Sequence, residues 1–277
     1  MSKSSLLCLG YGYSAAALAA IIGDDVSVTG TTRSKPGDAT FNRIDWADRA
    51  AVDQAINEAT HILITAPPNA EGDPILLRHH EALLTASPAW VGYLSTTGVY
   101  GDRSGDWVDE DSALAPVGER GRRRVDAERA WRETGLPLSI FRLPGIYGPG
   151  RSALDRLRAG KARRVVREGQ IFSRIHVDDL AQVLRAEMFS GGGPGVYNVA
   201  DDEPAPPQDV IAFGADLLGI EPPPEIPFES ADLSPMARSF YGESKRVCNR
   251  RIQEDLGVEL KYPNFRVGLR AILEAGY

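Results

Sequence analysis

The chain has 277 residues, 43% hydrophobic and 25% charged, the profile of a soluble globular protein. That length allows one large α/β domain or a nucleotide-binding domain with a smaller lobe. A net charge of −7 argues against a general nucleic-acid binder, and beyond one N-terminal run no apolar stretch is long enough for a membrane span. Cys8 and Cys248 lie at opposite ends and make no disulfide framework. The four histidines (His61, His79, His80, His176) lack metal-ligand spacing, and His79-His80 reads as a wet helix surface. These features indicate a cytoplasmic, metal-free protein.

The first element, Leu6-Leu7-Cys8-Leu9, is a short apolar strand. It runs into Gly10-Tyr11-Gly12-Tyr13-Ser14-Ala15 and then an Ala/Leu-rich helix ending near Ile22. Strand, glycine turn and helix open a dinucleotide-binding βαβ unit. Gly10 allows a sharp reversal, and Gly12 allows the backbone N–H groups of Tyr13 and Ser14 to approach a pyrophosphate. Ala15 is small enough to pack the helix on a sheet, and the helix N-terminus presents positive charge to phosphates. Two other readings compete. One is a secretory signal, because Lys3 precedes an apolar stretch with Ala-x-Ala spacing at Ala15 and Ala17. The other is an ordinary glycine turn.

Gly23 closes that helix, and Val26 to Gly30 makes a second buried strand. An NAD-preferring site places Asp or Glu at this strand's end, about 20 residues beyond the glycines. Here the sequence reads Thr31-Thr32-Arg33-Ser34-Lys35, with no carboxylate. Hydroxyls plus Arg33 suit a 2′-phosphate, which favours NADP(H) over NAD(H), with NAD(H) still allowed. Arg33 capping a surface loop is the plainer alternative. Phe41 to Trp46 is a third strand whose terminal Asp45 and Trp46 could flank an adenine, although Asp45 equally suits the N-cap of a helix through Ala55. His61 to Thr65 is a fourth strand ending in Ala66-Pro67-Pro68, small stiff residues suited to a close-lying cofactor. A helix through Leu84 and a fifth strand, Trp90 to Leu94, complete the alternation. Four βα units in about 100 residues make a doubly wound parallel sheet of Rossmann type. The signal reading fails here, because it would remove a central strand.

The fifth strand continues into Ser95-Thr96-Thr97-Gly98-Val99-Tyr100-Gly101-Asp102. Later come Phe141-Arg142-Leu143-Pro144-Gly145-Ile146-Tyr147-Gly148-Pro149-Gly150, then Arg174-Ile175-His176-Val177-Asp178-Asp179-Leu180-Ala181, then Val196-Tyr197-Asn198-Val199-Ala200. In this order, across nearly the whole chain, they resemble the extended short-chain dehydrogenase/reductase superfamily in its NAD-dependent epimerase/dehydratase branch. The shortened glycine turn and the STTGVYGD run are similar to an atypical, uncharacterised bacterial subgroup. The resemblance implies a Rossmann domain with a small C-terminal substrate lobe. It puts Thr96 where the family's hydroxyl binds the reacting oxygen, and Pro144, Gly145 and Ile146 against the nicotinamide carboxamide. Tyr100 and Tyr147 fall near the substrate, or finish loops as half-buried rings.

The family's proton relay is a Tyr-x-x-x-Lys pair one helical turn apart, in which the ammonium lowers the phenol pKa. In the matching helix, Pro116 to Glu128, Arg120 stands at the Tyr position and Arg124 at the Lys position. An arginine pKa lies above about 12, so neither residue shuttles protons near neutrality. Arg124 could still bond a nicotinamide ribose, and Arg120 could bind an anionic substrate or polarise a carbonyl. The bland reading of the RGRRR run is a solvated helix face with Arg124 and Glu128 paired.

Beyond Arg151 the chain alternates between body and lobe. A helix from Ser152 to Gly160 and a basic strand, Arg163 to Arg167, belong to the lobe. Phe172 to Val177, a helix from Asp178 to Met188, and Val196 to Ala200 after the Gly191–Gly195 loop return to the sheet. The domain reading is therefore 1–150 rejoined by about 172–200 and part of 246–277, with 151–171 and 201–245 as the lobe. Glu221 to Pro227 is stiff and extended. Arg238, Lys245 and Arg246 could grip phosphate or carboxylate on a substrate, or form surface salt bridges. Three functions follow: an NADP(H)-dependent oxidoreductase or epimerase-like enzyme on a small carbonyl or hydroxyl substrate with a non-standard active site, a dinucleotide-binding sensor without turnover, and a conventional sugar-nucleotide epimerase, against which the missing Tyr and Lys speak. In the first, Tyr100, Tyr147 or substrate-bound water replaces the proton donor. The resemblance also implies a homodimer through the helix carrying Arg120 to Trp131.

Overall fold

The computed structural model describes residues 4–33, 41–191 and 193–277. Ser34 and Lys35, Lys3 and Gly192 lie outside the described residues. Seven strands form one sheet: β1 (Ser4–Leu9), β2 (Val26–Thr32), β3 (Asn42–Asp45), β4 (His61–Ile64), β5 (Trp90–Thr96), β6 (Leu138–Leu143) and β7 (Val196–Asn198). Their order is β7-β6-β5-β4-β1-β2-β3, every pairing parallel. Strand order reverses between β1 and β4, so the switch point where parallel sheets bind ligands lies at the C-terminal tips of these two strands.

β1 shows why a short run sufficed to seed the sheet. Leu6 and Cys8 enter the core under one face, and Leu7 and Leu9 enter the core under the other. All four are at most 1% exposed, as a strand covered on both sides requires. Helices α1 (Tyr13–Ile21) and α5 (Val177–Ser190) cover the first face. Helices α2 (Arg49–Glu58), α3 (Pro74–Thr85) and α4 (Glu119–Glu133) cover the second. Ala15 is fully buried beneath α1, the close helix–sheet packing its small side chain allows.

The caps differ in detail from the sequence reading. Asp48, not Asp45, caps α2 by accepting the Ala51 N–H at 3.1 Å. His176 caps α5 by accepting the Asp178 N–H at 3.2 Å, so the helix begins at Val177, one residue before the sequence reading. His79 corrects the wet-surface reading, because it is fully buried at a kink in α3 with Nδ1 2.5 Å from Asp53 Oδ1. His80 alone of that pair is exposed.

The C-terminal half adds a separate hydrophobic cluster, shared between stretches read as lobe and the last helix. Helices Ala153–Arg158, Pro207–Leu217 and Phe265–Glu274 pack around Leu154, Val210, Leu269 and Tyr147. The extended proline run becomes the strand Glu225–Pro227, paired in parallel with Arg164–Val166. Ile252 and Val258 return to the main core beside β1. Among the described residues no helix is long and apolar enough to cross a membrane, and no group of three or more His, Cys, Asp or Glu side chains is placed to hold a metal.

Candidate functional site

The glycine turn sits at the switch point, pinned from both neighbouring strands. Gly10 donates its N–H to Thr31 Oγ1 at 2.9 Å, Tyr11 donates to the Thr31 carbonyl at 2.8 Å, and Thr65 donates its hydroxyl to the Gly10 carbonyl. Gly10 has φ of +101°, and a Cβ there would stand 2.7 Å from Thr65 Oγ1, so only glycine fits. Gly12 caps α1 without a side-chain bond, and nothing lies within 4 Å of where its Cβ would be. The first intrahelical bond runs from Ala16 N–H to the Gly12 carbonyl. The amides of Tyr13, Ser14 and Ala15 therefore face an open space at a positive helix end, which fits a diphosphate.

Thr31 does not face that space. It is 2% exposed, and its hydroxyl holds the glycine turn, so its part in a cofactor site is structural. Thr32 is half-buried, while Arg33 is exposed and makes no hydrogen bond or ion pair among the described residues. Beside it Tyr11 lies flat over Gly30 and stacks on Phe41, ring centroids 3.6 Å apart, with the Arg43 guanidinium 5.6 Å from Phe41. That aromatic pair at the β2 tip escaped sequence reasoning. Asp45 is exposed and accepts the Ala47 N–H at 2.8 Å. Trp46 turns toward α3, edge-on to His79 at 5.1 Å and under Arg78 at 5.2 Å. Ala66 and Pro67 follow β4 at the mouth of the switch, the Ala66 N–H donating to the Leu9 carbonyl at 3.2 Å.

At the other end, Thr96 closes β5. Its Oγ1 accepts the Gly98 N–H at 3.2 Å, which leaves the hydroxyl proton to donate. Pro144 and Ile146 are half-buried and Gly145 exposed just past β6. Tyr13 spans the gap between α1 and this loop, donating to the Pro149 carbonyl at 3.0 Å. Arg151, another residue sequence reasoning missed, is exposed with its guanidinium 5.8 Å from the Tyr13 ring, beside the uncapped helix end.

The structure corrects both tyrosine candidates. Tyr100 is fully buried, donating to Asn198 Oδ1 at 2.7 Å and accepting from Arg142 Nη1 at 2.9 Å. Arg142 in turn forks onto Glu128 at 2.9 and 3.2 Å, and Ser95 donates to the same carboxylate at 2.6 Å. Burial pushes the Tyr100 phenol up to about 12. Tyr147 is 8% exposed, its hydroxyl wedged against Gly268 of the last helix and its pKa raised by burial. Neither ring is open to a substrate.

Arg124 is half-buried, donating from Nη1 to Tyr93 Oη and to the Leu94 carbonyl, both at 2.8 Å. The expected i,i+4 pairing with Glu128 does not form, because Glu128 serves Arg142 and Arg132. Arg120 is exposed, its guanidinium 5.6 Å from the centre of the Phe240 ring. Trp131 is buried within the chain, donating to Asp73 Oδ2 at 3.1 Å. The three lobe cations are engaged internally. Arg238 donates to the Ala231 carbonyl at 2.8 Å, Lys245 pairs with Glu243 at 2.6 Å, and Arg246 donates to the Gly105 carbonyl. They do not form the open anion grip that the sequence suggested.

Two buried titratable groups lie near Tyr147. Asp201 is 1% exposed, and neither carboxylate oxygen accepts a hydrogen bond among the described residues. Burial pushes it up to about 8, although the Arg174 charge and the Glu203 backbone N–H oppose the rise. His176 is buried beside Tyr147 and Tyr262, and burial lowers its pKa to about 4. Burial thus moves the Tyr100 and Tyr147 phenols further from giving up a proton near neutrality and holds His176 neutral there.

No family model matches this sequence. Among solved structures, a functionally unknown conserved protein from Silicibacter pomeroyi is 46% identical, superposing with a TM-score of 0.91 over 99% of each chain. A Methylobacillus flagellatus protein assigned as an NAD-dependent epimerase/dehydratase is 26% identical, with a TM-score of 0.78 over 99% of each chain. A Streptomyces 3-diazoavenalumate denitrifying reductase is 30% identical over 156 residues, 52% of this chain. That match spans half the length of the curated relative.

Proposed function

We propose that this chain, which belongs to the extended short-chain dehydrogenase/reductase superfamily in its NAD-dependent epimerase/dehydratase branch, binds NADP(H) and acts as an oxidoreductase, in the reductive direction on a small carbonyl compound, without the usual proton relay. One observation carries the reading: an uncapped helix end behind Gly10 and Gly12 at the switch point, with Arg33, unpaired among the described residues, at the tip of the adjacent strand. The amides of Tyr13 to Ala15 and the Arg151 guanidinium would hold the diphosphate. Arg33 would hold a 2′-phosphate, and Tyr11 and Phe41 would border the adenosine. When bound, the cofactor supplies a hydride at its nicotinamide ring. Thr96 would orient the reacting oxygen by donating its hydroxyl proton into a hydrogen bond. The similarity to a reductase and to an NAD-dependent family member supports this reading.

A second reading, a dinucleotide-binding sensor without turnover, is favoured by Arg120 and Arg124 at the relay positions. Calorimetry with NADPH and NADH tests the first reading at its root. Tighter binding of NADPH is expected, with Arg33→Ala losing about tenfold for NADPH and leaving NADH unchanged, about 1.4 kcal/mol for one bidentate phosphate contact. Equal affinity for both cofactors in wild type and variant would refute the preference. NADPH binding without absorbance change at the nicotinamide band across a carbonyl panel would favour the sensor.

A further inference from the structure

Arg120 is set apart from the other arginines of α4. Arg122 and Arg123 pair with Glu119, Arg129 pairs with Asp126, Arg132 lies 3.7 Å from Glu128, and Arg124 is bound to β5. Arg120 has only the Phe240 ring and makes no hydrogen bond or ion pair among the described residues. Phe240 belongs to the short lobe helix Pro235–Phe240, none of whose residues is buried. Met236, one turn earlier, shares its face, and the two side chains are 62% and 53% exposed. A free cation thus borders an uncovered apolar and aromatic face where the first turns of α4 meet the lobe. The neighbouring lobe cations are spent internally, so this rim offers one charge and a flat apolar surface rather than a polyphosphate grip.

We propose that Arg120 and Phe240 bind a planar conjugated oxyanion, a phenolate or enolate, and that the substrate is the conjugated carbonyl compound from which hydride addition generates it. This rests on the reductase reading above. In that step a carbon–hydrogen bond forms at the carbon conjugated to the carbonyl. The carbon–carbon π bond there breaks and its pair forms a π bond to the carbonyl carbon, and the carbonyl π bond breaks, its pair passing to oxygen. The reductant is a reduced nicotinamide, oxidised by two electrons, and the oxyanion takes its proton from water after leaving. Basicity selects the class. A phenol has a pKa of about 10, below the guanidinium's, so its anion persists beside Arg120 without proton transfer. A simple alkoxide is about as basic as hydroxide, whose parent water has a pKa of about 16, and it needs the donor this site lacks.

The test needs no cofactor: 4-nitrophenol is titrated into the purified protein and its phenol and phenolate bands are followed across pH. Wild type is expected to bind phenolate about tenfold more tightly than phenol, Arg120→Leu to lose that preference, and Arg120→Lys to keep part of it. Phe240→Ala should weaken both forms alike. Equal binding of the two forms by wild type, no binding, or an undiminished preference in Arg120→Leu would overturn the proposal. Calorimetry with NADPH on the same sample separates the two failures. Absent NADPH binding removes the reductase reading, whereas the phenolate titration judges the Arg120 site by itself.

Discussion

Asp201→Asn tests whether the buried region beside Arg174 and Tyr147 holds a protonated carboxylic acid. The Asp201 carboxyl is pushed from 3.8 up to about 8 by burial, which the Arg174 charge and the Glu203 backbone N–H offset only in part. A raised folded pKa gives stability that is fully present below the unfolded value and is lost as pH rises toward the folded one. In that window the folded state holds a proton that the unfolded state has released. Each tenfold gain in proton affinity corresponds to about 1.4 kcal/mol, so a gain of roughly ten-thousandfold sets a ceiling on the order of 5 kcal/mol, reached near pH 8. His176, lowered to about 4, works in the opposite direction as pH falls below the ordinary histidine range, so wild-type curves alone mix the two. The difference between variant and wild type isolates Asp201. Urea melts from about pH 5 to about pH 9 should show Asp201→Asn gaining on wild type by up to about 1.4 kcal/mol per pH unit until about pH 8, then running parallel. Parallel curves across the whole range would refute the reasoning.

Gly10→Ala forces a side chain onto φ of +101° against Thr65, and should cost at least about 1–2 kcal/mol in denaturant melts while abolishing NADPH binding in calorimetry. Tyr100→Phe leaves Arg142 and Asn198 each short of a partner, so it should destabilise by about 1–3 kcal/mol yet leave NADPH affinity unchanged. A loss of turnover in Tyr100→Phe at full stability would restore that residue as a catalytic candidate.

The doubly wound sheet was legible because each signal is local: an apolar run, a glycine turn and a helix within Leu6 to Ile22, repeated down the chain. The glycine turn's place between the first strand and the first helix was legible too, whereas its position at the switch point needed the strand order. Tyr100 was not legible, because its hydroxyl answers to Arg142 and Asn198, 42 and 98 residues away. His79 was misread for the same reason, since Asp53 and the α3 kink that bury it leave no local mark. Arg151 and the Tyr11–Phe41 stack depend on tertiary proximity too. The last helix, Phe265–Glu274, is a different case. Phe265, Gly268, Leu269 and Ile272 fall at helical spacing behind the capping Asn264, a signal present in the sequence and overlooked.

Restoring the family's relay shows how far this site has moved from it. Arg120→Tyr with Arg124→Lys puts a phenol and an ammonium one helical turn apart, the spacing at which they share a face. At present the Arg124 guanidinium is held by Tyr93 Oη and the Leu94 carbonyl. A lysine there meets the same two acceptors, and an ammonium held on β5 is less able to lower the pKa of a tyrosine at position 120. The double variant should therefore reduce saturated ketones only slowly, well short of the ~10²–10⁴-fold that a tuned general acid contributes. Removing the competing hydroxyl with Tyr93→Phe should raise that rate several-fold further and lower the pH at which the new phenol titrates. NADPH oxidation at saturating ketone, followed across pH in the double and triple variants, measures both effects. If Tyr93→Phe adds nothing to a double variant that already turns over, the hold of β5 on position 124 is not what separates this site from its family.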